Sequence, residues 1–312
     1  MAGPLTPRLG PLPQRFSALV RPVFLCLCLA PVGCGPGLDG AGGGGRGEGP
    51  GHRPQELALS PQQELELGRE GYQEVLSNPK EFGRVVPSDR PEVRRVRDVA
   101  RRIVKAAGIE PLQREINLRL KGYQFEWEAN VLENPQVNAF CLPGGKIAVF
   151  TGLLPVAQND DQLATVMSHE IAHALAHHAS ERLAREQKYR RAFAVIGGVM
   201  AGMSPQQRRE FLGVLAAGAG FRSKAYDRQQ ESEADHIGLF LMTFAGYDPE
   251  QAVRFWERMR QASGGGHIPE ILSDHPSDER RIGDMQGWVP KAREAKKAYD
   301  EGRIAPVPAG AR

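Results

Sequence analysis

His169 and His173 stand four residues apart, with Glu170 beside the first, in the run His169-Glu170-Ile171-Ala172-His173. On a helix that spacing puts both imidazoles on one face, about one turn apart. Two imidazoles so placed can share one tetrahedral ion, and such donors with a position left for water suit zinc. Glu170 can then reach the metal's water, take its proton as general base, and pass it on to a leaving amine. The ion would polarise a carbonyl and lower the pKa of that water. This chemistry is hydrolysis of a peptide bond, with one Zn(2+) per chain. The pentad alone does not force the reading, because these residues can fall at this spacing on any polar helix. Its helix face is otherwise apolar and rich in alanine, a costly place for three polar side chains without a role.

A third ligand is expected in Glu231-Ser232-Glu233-Ala234-Asp235. Glu231 and Asp235 are again four apart and share a helix face. Glu231 is the expected ligand, and Asp235 the expected partner for the free nitrogen of a ligand histidine. Glu233 points about 160° away and reads as a solvated residue or a surface ion pair. His177 is expected at the surface or behind a ligand, and His178 exposed. Cys141 is expected to pack as a small hydrophobe, since no base is evident beside it.

Elements must carry these residues. Residues 60–78 read as a helix with Pro61 in its first turn, and 91–107 as a second with Val93, Val96, Val99 and Ile103 on one side. Residues 116–131 suggest strands, and 137–142 with 146–151 suggest two strands joined at Pro143-Gly144-Gly145. Asp160 to Glu181 reads as one helix, capped by Asn159 or Asp160. Two apolar, Gly-rich segments, 191–203 and 208–221, are too short to span a bilayer. Helices are expected again at 228–244 and 249–262. The fold class is therefore α+β, predominantly helical, with a small β-sheet or hairpin preceding the zinc-binding helix.

Composition sets bounds. The net charge is +3 over 312 residues, with both signs interspersed, so no nucleic-acid footprint is expected. One of the four cysteines lies beyond residue 34, which leaves no disulfide framework. Arg8, Arg15 and Arg21 precede the short apolar run Val23 to Val32, the layout of a secretory signal peptide. Pro31-Val32-Gly33-Cys34 resembles a bacterial lipobox with lipidation at Cys34, although Pro31 stands where leucine is preferred. The expected division is a signal peptide with lipobox at 1–34, a Gly-rich flexible linker at 35–55, a catalytic domain at 56–290, and a charged, disordered tail at 291–312. That layout places an exported protein, lipid-anchored in the bacterial cell envelope on its periplasmic side.

Three blocks carry a resemblance to a known family. Asn138-Ala139-Phe140-Cys141-Leu142-Pro143-Gly144-Gly145-Lys146-Ile147-Ala148-Val149-Phe150-Thr151-Gly152-Leu153-Leu154 resembles the hairpin of M48-family metallopeptidases, His169 to His173 their zinc helix, and Glu231 to Gly238 their third-ligand helix. The resemblance, to the soluble periplasmic or lipoprotein branch, implies a gluzincin fold, zinc and cleavage of internal bonds in unfolded, extended or misassembled envelope proteins. It also implies that Gly144, Gly145, Lys146, Ile147, Ala148 and Val149 form an edge strand pairing with substrate. By the same resemblance His275, before Pro276, would contact the zinc at rest or the oxyanion during reaction, and Arg281 would support it; the other reading of His275 is a cap on a helix starting at Pro276. The alternative is a metal-stabilised chaperone or assembly factor of the envelope with little or regulated peptidase activity.

Overall fold

The computed structural model describes residues 46–109, 121–199 (of 189–199 the backbone only), 227–263 and 279–303, with positions 112, 118, 120, 271 and 275. The expected signal peptide, Cys34, the start of the linker, Pro276 and the apolar segment 208–221 lie outside these residues.

The chain enters as a hairpin of β1 (Arg46–Glu48) and β2 (Pro54–Glu56). The linker expected to stay flexible to residue 55 is therefore ordered from Arg46. Gln55 anchors it, donating from a buried position to the carbonyl of Ala176 at 2.7 Å. Helix α1 (Pro61–Ser77) follows. Ser60 accepts from the Gln63 amide while the Gln63 side chain accepts from the Ser60 amide, a reciprocal cap. Helix α2 (Pro91–Ala107) buries Val93, Val96, Val99 and Ile103, as its apolar spacing requires.

Strands β3 (Glu128–Leu132), β4 (Ala139–Leu142) and β5 (Lys146–Phe150) form one sheet in the order β3-β5-β4. β3 runs parallel to β5, and β4 antiparallel to it. This corrects the expected edge strand. Lys146, Ile147, Ala148 and Val149 lie on the central strand, with Gly144 and Gly145 in the turn before it. The reason is β3, which reaches β5 from across the turn and takes its outer hydrogen bonds. The outer edge of β4 has no strand partner among the described residues, and that of β3 carries only the isolated bridge of Val85 to Leu132. The same turn needs backbone with positive φ, 73° at Gly144 and 89° at Gly145, which glycine adopts without strain.

Alternation along the strands gives the sheet two apolar faces. Ala129, Val131, Ala139, Ile147 and Val149 join the main core with α2 and the helices that carry His169 and Glu231. Leu132, Leu142, Ala148 and Phe150 join a second cluster with Tyr72, Val75 and Phe82. Helix α1 thus covers the far face, and the Tyr72 hydroxyl donates to the Ile147 carbonyl at 2.9 Å.

Helix α3 (Asp160–Leu175) begins at Asn159, whose side chain accepts from the Gln162 amide, with Asp160 and Asp161 in its first turn. The single helix expected to Glu181 is broken. It ends at Leu175, His177 takes a left-handed φ of 56°, and α4 (His178–Val199) starts afresh. Residues 227–244 form α5. Helix α6 (Glu250–Ser263) and helix α7 (Glu279–Asp300) complete the described core. α7 continues through Pro290 with Ala292 fully buried, so the tail expected to be disordered from 291 is helical to Asp300. The α+β, predominantly helical class stands. No helix among the described residues is long and apolar enough to cross a membrane.

Candidate metal centre

Helix α3 carries His169, Glu170 and His173 across the floor of the site, and α5 packs on it closely. The approach is set by Gly238: a Cβ there would lie 3.0 Å from the His169 amide nitrogen and 3.1 Å from its Cα. Glu231 and Asp235, on the preceding turns of α5, are thereby brought against the two histidines. His169 Nε2 and His173 Nε2 lie 3.2 Å apart. Glu231 reaches both, at 3.3 Å from His169 and 3.5 Å from His173. His275 closes the ring, with Nδ1 at 3.2 Å from His169 Nε2. Ligand atoms of His169, His173, Glu231 and His275 all lie within 4.8 Å of one another, a group that can hold one metal ion.

The surroundings are built for a cation. Asp235 lies 3.0 Å from the outer nitrogen of His169 and fixes which ring nitrogen faces the centre. Arg281 grips Asp235 with two hydrogen bonds, from Nε at 2.6 Å and Nη2 at 2.8 Å. It also reaches Glu231 at 3.3 Å and donates to the His275 carbonyl at 3.2 Å. Its guanidinium sits over the Trp256 ring, 4.9 Å from the centroid. Arg281 thus contacts the carboxylates as well as the His275 segment. Glu170 is buried, with Oε1 at 3.3 Å from His275 Nε2.

The ionisation pattern agrees. Burial opposes charge on Glu231, but the imidazoles of His275, His173 and His169 outweigh it and hold the carboxyl well below its usual range. Burial likewise opposes charge on His169, yet hydrogen bonds to Asp235 and Glu231 raise it to about 10. His173 is pushed down by burial, and its lone pair is free for a metal. Asp235 is lowered because Arg281 and His169 outweigh its burial. Glu231, Asp235 and Glu170 converge on imidazoles whose counter-charge must come from protons or from a bound cation. The donor set, imidazole nitrogens with one carboxylate, suits zinc.

One expectation fails beside the centre and a second is narrowed. His178 is not exposed: it is buried, with Nδ1 at 2.8 Å from His173 Nδ1. Of the two readings of Glu233 the ion pair holds, though largely covered: it accepts from Arg53 and stands 3.2 Å from His178 Nε2. Both follow from the break at His177, which turns α4 back toward the site. His177 itself pairs with buried Glu64 at 2.8 Å and lies against Tyr123. Arg53 gave no sequence signal, because its partners lie 128 and 180 positions away. Cys141 lines the small cavity beside His173, and burial pushes its thiol well up, which disfavours the reactive thiolate.

Imidazoles and a carboxylate around one cation position, with a second carboxylate alongside on the same helix, define a metallopeptidase. Residues 95–289 match the description of peptidase family M48. The mitochondrial metalloendopeptidase OMA1 of Saccharomyces cerevisiae is 34% identical over 244 residues, covering 76% of this chain and 67% of the relative. That of Schizosaccharomyces pombe is 36% identical over 248 residues, covering 76% and 65%. The β-barrel assembly-enhancing protease of Escherichia coli O157:H7 is 33% identical over 169 residues, covering 52% and 34%. The chain belongs to peptidase family M48. It spans about two thirds of the length of the yeast relatives and a third of the bacterial one. The expected placement as a bacterial envelope lipoprotein is corrected by these matches, since the relatives sharing three quarters of the chain are named mitochondrial.

Proposed function

We propose that the chain is a zinc endopeptidase acting on unfolded or misassembled polypeptides, with His169, His173 and Glu231 as metal ligands and Glu170 as general base. The observation that carries this is the convergence of ligand atoms from α3 and α5 on one buried point beside Glu170. Bound zinc would polarise the scissile carbonyl and acidify water. Glu170, fixed on the same helix as the two histidines, takes the proton and returns it to the leaving amine. Asp235, held by Arg281, keeps His169 aligned. The outer edge of β4 is the place for an extended substrate, since it runs along α3 and has no strand partner among the described residues. Backbone pairing there gives affinity with little sequence demand. The similarity to a protease named for β-barrel assembly supports misassembled protein as the substrate.

A second reading concerns regulation. His275 stands between Glu231 and Glu170, where attacking water has to fit. Filled by His275, the centre has four protein donors and is closed, as structural zinc sites are. Peptidase activity would then depend on withdrawal of His275. The test is the purified chain with and without zinc on an unfolded protein substrate, beside Glu170→Gln. Cleavage that survives Glu170→Gln sinks the peptidase assignment.

A further inference from the structure

Behind His173 runs a line of contacts that leaves the metal centre and ends at the N-terminal hairpin. His173 presents Nε2 to the centre, 3.2 Å from His169 Nε2, and Nδ1 to His178 Nδ1 at 2.8 Å. His178 turns its other nitrogen to Glu233 Oε2 at 3.2 Å. Arg53 donates to both oxygens of Glu233, from Nη2 at 2.8 Å and from Nε. The same guanidinium holds Glu181 at 2.5 and 2.7 Å. Gln55 and Gln230 donate to Glu181 from 3.2 and 3.0 Å.

The tautomers of this line are not independent. For His173 to offer a lone pair at Nε2, its proton must sit on Nδ1. That proton then points at His178 Nδ1, which must accept. His178 therefore carries its own proton on Nε2 and donates it to Glu233. Glu233 must be an ionised acceptor, and Arg53 supplies the charge that keeps it so.

We propose that Arg53, Glu233 and His178 are positioning residues that set the tautomer of His173, so that the hairpin upstream of the family-matched span completes the metal centre. The proposal rests on the metal reading above. Arg53 lies outside residues 95–289, and the hairpin that carries it is bound to the stretch after α3 by separate contacts. The Gln55 amide reaches the Ala176 carbonyl, and the amides of Ala58 and Leu59 reach Ser180. The hairpin is thus also seated by contacts that do not involve Arg53.

The test uses the full chain loaded with zinc and measures zinc affinity by chelator competition for Arg53→Met, Glu233→Met and the double variant. Each single variant weakens zinc on the order of tenfold, as loss of an outer partner does. The double variant is no weaker than the worse single, since both cut one line. Melting of the metal-free variants separates this effect from general loss of stability. Parent-like zinc affinity in either single variant, or additive losses in the double, overturns the proposal. Nitrogen-15 NMR of the zinc-loaded parent gives an answer even if a variant does not fold. The expected spectrum has the His178 proton on Nε2; a proton on Nδ1 overturns the assignment. His173→Ala serves as the reference. If it keeps zinc, the metal reading falls as well; if it loses zinc while Arg53→Met and Glu233→Met do not, this inference falls alone.

Discussion

His275 Nδ1 lies 3.0 Å from each carboxylate oxygen of Glu231. A ring that touches Glu231 on one side and Glu170 on the other occupies the space that the proposed reaction needs for a carbonyl and water. His275→Ala is therefore expected to keep zinc and to cleave an unfolded substrate faster, by several-fold, in an initial-rate assay. Slower cleavage with zinc retained would instead give His275 a part in supporting the oxyanion.

Glu170 is buried on α3 between the two histidines. Replacing it by glutamine keeps volume and removes the base. Zinc content measured by atomic emission should stay at one per chain, while the rate of cleavage falls by about 10²–10⁴. A variant that loses zinc in proportion to activity would show that Glu170 acts on the ion's retention instead.

Asp235 links His169 to Arg281 through contacts of 3.0 and 2.6 Å. Asp235→Asn keeps the shape but loses the charge that both neighbours require. Zinc affinity is expected to fall about 10- to 100-fold. Arg281, left buried beside a neutral partner, should also lower the melting temperature of the metal-free chain. Unchanged zinc affinity in a chelator titration would remove Asp235 from the metal's support.

Gly238 sits where a methyl group would press on the backbone of His169 at 3.0 Å. Gly238→Ala should push α5 away from α3 and cost about 1–3 kcal/mol of stability, measured by denaturant unfolding. Zinc affinity should fall with it, because Glu231 rides on the same helix. A variant of parent stability would mean the two helices slide past each other at no cost.

Glu126 accepts two hydrogen bonds from Arg69 and lies near Lys146 at the turn into β5. Arg69 holds its carboxyl at about 2, below the ordinary 4.5. A depressed carboxylate contributes stability that is present above 4.5 and lost as pH falls toward 2. The pair is exposed, so that contribution is screened and small. The carboxyl titration itself, followed by carbon NMR, should move up toward 4.5 in Arg69→Ala. No movement would place the cause elsewhere.

The parts of this molecule set by local rules were readable in advance. Pro61 announces α1, the valines of α2 announce its buried face, and Asn159 announces α3. The shared helix face of Glu231 and Asp235 was readable from a spacing of four. What was not readable depends on backbone breaks and on distant partners. His177 continues the four-residue spacing of His169 and His173, so the sequence suggests an unbroken helix. Its φ of 56° carries no glycine to announce it. That one turn moves His178 from an outward position to one against His173. Arg53 and the parallel partner of β5 are long-range facts for the same reason: no short-range period encodes them.

The far face of the sheet, where Tyr72, Val75 and Phe82 cover Leu132, Leu142, Ala148 and Phe150, has a practical consequence. The span matched to the family starts at residue 95 and leaves all three covering residues behind. A fragment trimmed to that span would keep the pentad and Glu231 but show water a bare apolar sheet. Surfaces of that kind self-associate. The limit of homology and the limit of solubility therefore fall at different places along this chain, and the second lies nearer its start.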